Sequence, residues 1–148
     1  MSQSLTADPN HLPLGKNVRL LSFNQDGLLA LEKPAGTLSH PNARADQKKS
    51  LLRASYDYEK ECYFWDDNEG QKCAWLINRL DSPTSGVILL ALNAELARIL
   101  KEQFATHHVS KTYFALVRKV PSRPAGTWQD TLSKDVYRAG RLVEGVVK

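Results

Sequence analysis

Arg79 and Asp81 stand two apart in "NRLDSPTSGVILLAL", residues 78–92, just before a Pro-Thr-Ser-Gly turn and an unbroken apolar run. Charged side chains rarely sit at the mouth of a buried strand, so this pair asks for a reason. In an extended segment, residues two apart share a side. An arginine there can keep a partly buried carboxylate ionised. An ionised carboxylate can attack an electrophilic carbon or remove a proton. A plainer role also fits the short pattern: an aspartate before Ser-Pro-Thr often only accepts backbone hydrogen bonds in a turn.

The flanking elements must position that loop. "VRLLSFNQDGLLALEKPAG" predicts two short strands around the turn Asn24-Gln25-Asp26-Gly27, then a type I turn over Lys33-Pro34-Ala35-Gly36. "NARADQKKSLLRASYDYEK" is polar, with Leu51, Leu52 and Ala54 clustered, and reads as a short helix. "ECYFWDDNEGQKCAWLINRL" reads as two apolar pieces joined by an acidic, glycine-containing loop. "GVILLAL" is apolar on both alternating faces, which predicts a strand buried on both sides. Asn93 is placed to cap the next helix, with Glu95 in its first turn and Leu96, Ile99, Leu100 and Phe104 on one face. "SKTYFALVRKV" then alternates as a strand, Lys111 and Tyr113 on one side and Thr112 and Phe114 on the other. Strand, helix, strand after hairpin-like pieces predicts an α+β domain with a mixed, mostly antiparallel sheet and helices packed on it.

The 148 residues are 42% hydrophobic and 24% charged, the balance of an ordinary globular protein. The net charge of +4 is uneven: residues 1–74 hold nine Lys/Arg against ten Asp/Glu, and residues 75–148 hold eleven against six. A basic half suits a polyanion better than a membrane, although a solvated face with no partner has the same composition. Cys62 and Cys73 lack a CxxC spacing, and the adjacent His107 and His108 diverge, so neither a disulfide framework nor a metal site is expected. The N-terminal residues show no signal pattern, and the longest apolar run is too short to span a bilayer. These features predict a cytoplasmic protein with reduced thiols.

Several segments occur in a fixed order: "LEKPAGTLSHPN", "NRLDSPTSGVILLAL", a helix ending "KEQF", "VSKTYFALV" and "GTWQDTLSKD". Together, over roughly residues 20–136, they resemble the RluA-type pseudouridine synthases. His40-Pro41 and Gln103-Phe104 favour this type over the RsuA type, which shares the R-L-D-x-x-T-S-G core. The resemblance implies a pseudouridine synthase fold with a central RNA-binding cleft. It implies isomerisation of specific uridines in rRNA or tRNA: the glycosidic bond is cut, the uracil turns, and its carbon 5 joins the ribose. No cofactor or metal takes part. The target base must first leave its stack, at a cost of about a few kcal/mol.

The resemblance makes Asp81 the catalytic carboxylate, as nucleophile or as base. It places Tyr113 against the uracil ring, where a flat side chain stacks and a hydroxyl can move a proton. Arg79 can pair with Asp81 or with an RNA phosphate. Lys111 can meet a phosphate or a local acid. Thr84 holds the loop in shape, and His40 shapes the cleft. Lys33 reads as structural, and Trp128 as packing against the sheet.

Two departures stand out. Asn78 replaces the usual histidine. The family's domain also runs on past the final "LVEGVVK", bringing a basic residue that pairs with the aspartate. The expectation is therefore a flexible arm over 1–17 and the N-terminal portion of the catalytic domain over 18–148, with the C-terminal portion absent. Self-association, or complementation by a C-terminal piece, follows from that expectation. The alternative function is a catalytically silent RNA-binding fragment of such an enzyme.

Overall fold

A computed structural model describes residues 11–120, 122–123 and 125–127. The chain divides into two units, Met1–Lys111 and Thr112–Lys148. Among its described residues, the first carries a six-stranded antiparallel sheet and one α-helix, so the fold is α+β as the sequence predicts.

The strands are β1 (Arg19–Phe23), β2 (Leu28–Lys33), β3 (Ser55–Asp57), β4 (Cys62–Asp67), β5 (Gly70–Leu76) and β6 (Gly86–Ala91), in the spatial order β1-β2-β6-β5-β4-β3. The helix α1 spans Ala94–Ala105. The first hairpin turns on Asn24, whose side chain accepts from the Leu28 N–H at 2.8 Å. The β4–β5 hairpin is the pair of apolar pieces read from the sequence, and its acidic loop closes with Asp67 accepting from Glu69 N–H. Asn93 caps α1 by accepting from Leu96 N–H at 2.7 Å, and its amide donates back to the Asp26 carbonyl. One side chain thus fixes both the helix start and its place beside the first hairpin.

The core lies on one face of the sheet, where Leu29, Leu31, Ile88, Leu90, Tyr63 and Leu76 meet Leu51 and Leu52. The opposite face carries α1, with Ala97, Leu96, Leu100 and Phe104 against Ala91, Leu89 and Trp75.

Several expectations need correction. β6 is not buried on both sides: Ile88 and Leu90 are, but Val87 is half exposed, because α1 covers only the far end of that face. On α1, Ala97 rather than Ile99 is buried, since Ala97 lies on the packed face with Leu96, Leu100 and Phe104 and Ile99 is turned about 200° away from it. The short helix is a 3-10 turn over Arg44–Lys49, and Leu51, Leu52 and Ala54 are buried beyond it. The turn after β2 falls one residue later than expected, over Pro34–Thr37. It has Gly36 at its third position with φ 86°, which a type II turn requires.

Residues 11–17 are not a loose arm. Leu12 is buried, Leu14 bridges Leu52, and Gly15 N–H donates to the Leu51 carbonyl. Residues 1–10 lie outside the described residues.

In the second unit, the strand expected over 110–120 is absent from the described residues. Phe114 and Leu116 are fully exposed, at 98% and 103%. No described segment supplies that stretch with a ladder partner, and an alternating pattern makes a strand only when one exists. Trp128 lies outside the described residues.

Gly15 generates a test of the N-terminal clasp. A Cβ there would meet the Ser50 carbonyl oxygen at 2.2 Å and that of Leu51 at 3.0 Å, both backbone atoms. Gly15→Ala is expected to destabilise the fold by about 1–3 kcal/mol, the usual cost of overpacking, read as a lower urea midpoint at unchanged slope.

Candidate functional site

The Asp81 loop leaves the sheet where two strands diverge. β5 and β6 are laddered only at Trp75–Ala91 and Leu76–Leu90. Ile77 N–H still reaches the Leu89 carbonyl. Beyond that, the side chain of Asn78 continues the ladder: its amide donates to the Val87 carbonyl at 3.2 Å, and its oxygen accepts from Leu89 N–H at 2.8 Å. A carboxamide carries the donor and acceptor of a peptide group, so Asn78 stands in for the missing strand residue.

A second loop, 34–40, braces the first. Lys33 ends β2 with its side chain fully buried, in phase with Leu29 and Leu31. Its Nζ donates to the carbonyls of Pro34 (3.2 Å), Thr37 (2.6 Å) and Ser82 (3.1 Å). Those acceptors take all three protons of an ammonium. Burial lowers the Lys33 pKa from its ordinary value, and the negative charge of Asp81 opposes that shift. Gly36 N–H donates to the Ser82 carbonyl at 2.7 Å. Ser39 Oγ donates to the Leu80 carbonyl at 2.6 Å and accepts from Leu80 N–H at 3.0 Å. The Tyr63 hydroxyl, deep in the core, holds the Ser39 carbonyl at 2.7 Å. Every residue from Leu80 to Ser82 is thus fixed directly or through a neighbour, and Thr84 N–H closes the turn onto the Asp81 carbonyl at 3.0 Å.

Asp81 itself is exposed. Its backbone carbonyl is used in the turn, but its carboxylate accepts no hydrogen bond among the described residues. The turn-acceptor role does not describe this side chain. Nor does Arg79 pair with it. Arg79 is exposed and lines a pocket of about 190 Å³ with Glu61, Asn78 and Lys101. Lys101 Nζ donates to Glu61 at 2.6 Å and, with Arg79 adding a smaller pull, holds that carboxyl below its ordinary range. The cation that feels the charge of Asp81 is Lys33, at the end of β2.

His40 is half buried, its ring stacked on Tyr56 at 5.0 Å. Lys111 is exposed, with Nζ 5.9 Å from the centre of the Phe104 ring. Tyr113 belongs to the second unit and is 64% exposed. Ser39 is not singled out by the sequence, whereas Lys33, read as structural, and Asn78, read as replacing a histidine, brace the loop. The signal for Lys33 was its even spacing from Leu29 and Leu31, which sends it inward. No signal marks Ser39, since its partner lies forty-one residues away. No group of described residues could hold a metal ion, and no described helix is long and apolar enough to cross a membrane.

The RNA pseudouridylate synthase family matches residues 27–146. Over 98 residues the chain is 40% identical to tRNA pseudouridine synthase C of Haemophilus ducreyi, covering 65% of this chain and 35% of that one. It is 38% identical over 96 residues to the protein of the same name from Pectobacterium carotovorum, covering 65% and 23%. A 52-residue stretch is 46% identical to an uncharacterized RNA pseudouridine synthase of Haemophilus influenzae, covering 35% and 23%. The chain thus spans about a third or less of the length of these relatives. No solved structure matches it.

The Asn78 bridge generates a direct test. Asn78→Ala leaves the Val87 carbonyl and Leu89 N–H without their partner and is expected to cost about 1–3 kcal/mol. Hydrogen exchange at Leu89 N–H should accelerate, while β4–β5 amides keep their protection.

Proposed function

The chain belongs to the RNA pseudouridylate synthase family, and from that premise we propose that the protein isomerises uridines of tRNA to pseudouridine in the cytoplasm. The observation that carries this reading is the carboxylate of Asp81. It is exposed and free of hydrogen bonds among the described residues, yet mounted on a loop fixed at Leu80, Ser82 and Thr84. A carboxylate on a hydrogen-bonded loop, exposed and committed to no protein donor among the described residues, is placed to meet a substrate. The choice of tRNA over rRNA rests on the names of the relatives.

The reaction conserves atoms. The bond from uracil N1 to the ribose breaks, the base turns, C5 bonds to the ribose carbon, the C5 proton leaves, and N1 gains a proton. Asp81 serves either as the nucleophile that carries the sugar or base through the turn, or as the base that takes a proton. Either role uses the ionised form. Arg79, Lys111 and the exposed cations near them are assigned to phosphates. Thr84 keeps the catalytic loop closed. His40 forms a wall of the RNA path. Tyr113 takes the stacking role on the uracil that the family resemblance implies.

The test uses the protein as it occurs in the cell and unmodified tRNA transcripts. Asp81→Asn keeps size and loses charge, so pseudouridine formation should fall by at least about a hundredfold. Affinity for tRNA should stay within a few-fold. Pseudouridine is read by mass spectrometry after selective derivatisation. Wild-type levels in the variant would remove Asp81 from the chemistry.

A further inference from the structure

A second recess lies on the same unit, apart from the Asp81 loop. Pro41, Arg44, Gln47, Tyr56, Tyr58 and Phe64 line a cavity of about 340 Å³ between the 3-10 helix and the β3–β4 hairpin. That volume is near the lower end for small-ligand sites, roughly 300–1,000 Å³. Its aromatic wall is a connected set. Tyr56 meets the buried Tyr63 edge to face at 4.9 Å, and Tyr58 meets Tyr56 the same way at 5.2 Å. Tyr58 is 53% exposed, so its ring is open to a ligand.

The segment that supplies Arg44 to the recess is basic. Residues 44–53 hold Arg44, Lys48, Lys49 and Arg53 against the single acid Asp46. None of these four cations has an ion pair among the described residues, whereas Arg19, Lys60, Lys72, Arg98 and Lys101 are all paired with acids. Arg44, unpaired among the described residues, thus lies at the recess with the tyrosines, and a cation with aromatic rings is the combination that binds single-stranded nucleic acid: stacking for bases and positive charge for the backbone. This basic segment lies in the half of the sequence whose overall charge is slightly negative.

The recess also connects to the catalytic loop. His40 stacks on Tyr56 at an interplanar angle of 11°, and its neighbour Ser39 clasps Leu80, the residue before Asp81. We propose that this recess binds an unpaired nucleotide of the RNA substrate adjacent to the target uridine, with its base stacked on Tyr58 and its phosphate at Arg44. Gln47 and Ser55, also at the recess, offer hydrogen bonds to the base edge. This rests on the pseudouridine synthase reading and adds to it a subsite for the flanking sequence.

The probe is a tRNA-derived stem-loop RNA with a fluorescent adenine analogue placed in turn on each side of a loop uridine. Stacking on an aromatic ring quenches the analogue. Wild type should quench it at one flanking position. Tyr58→Ala should abolish that quenching and weaken binding by about tenfold, and Tyr58→Phe, which keeps the ring, should restore both. Arg44→Gln, a change at an exposed position that does not depend on the core, should lower the slope of log affinity against log salt by about 0.7. Tyr58→Ala and Arg44→Gln with wild-type affinity, quenching and salt slope would overturn the subsite. If wild type still makes pseudouridine in tRNA transcripts in that case, the isomerase reading survives. If wild type neither binds the RNA nor makes pseudouridine, both readings fall.

Discussion

The ammonium of Lys33 is the constraint around which the site end of the molecule is arranged. A buried cation is tolerated only when its protons are accepted and its charge is answered. Here the acceptors are three carbonyls, two from the turn that follows Lys33 and one from Ser82, forty-nine residues on. The answering charge is Asp81. Neither loop can move away without leaving that ion unsatisfied. The β2–β6 register sets both loops at the same end of the sheet, because Lys33 pairs with Gly86 at the root of the second.

The same economy appears on the other side of the loop. β5 and β6 part after two ladder pairs, which makes room for residues 79–85 to rise from the sheet. The cost of parting strands is unsatisfied backbone, and Asn78 offsets it with a carboxamide in place of a peptide group. A histidine, usual at this position in the resembling family, can donate from one ring nitrogen and accept at the other, but not with the spacing of a peptide group. The lock between Lys101 on α1 and Glu61 at the start of β4 fastens the helix beside the same gap. The aromatic set running from Tyr63 through Tyr56 to Tyr58 extends the rigid body towards the basic 3-10 helix.

Much of this was legible in the sequence because it is local. The Asn24–Gly27 hairpin, the β4–β5 hairpin and the Asn93 cap each depend on partners a few residues away. The loop that carries Asp81 was visible as a motif. What was not legible depends on distant contacts. Spacing alone lets Arg79 face Asp81 or an RNA phosphate, but its charge acts on Glu61 and Tyr56, which lie far from it in sequence. Ser39 gives no local sign that it will clasp Leu80. Residues 110–120 alternate as a strand should, yet alternation is only half of a strand, and the described residues provide no ladder partner. Leu12 and Leu14 were hidden in a polar, proline-containing stretch whose packing onto Leu51 and Leu52 no short window reveals.

The buried ammonium of Lys33 is the bond on which the other contacts between the two loops depend. Native-state hydrogen exchange on wild type and Lys33→Met measures it most directly. Gly36 N–H lies in one loop and donates to Ser82, and Leu80 N–H lies in the other and donates to Ser39. With the ammonium replaced by an apolar side chain of similar length, both amides should lose protection by a similar factor, while Tyr63 and Ala74 in the β4–β5 hairpin keep theirs. If Gly36 and Leu80 kept wild-type protection in the variant, or lost it independently, the loops would be held by something other than Lys33.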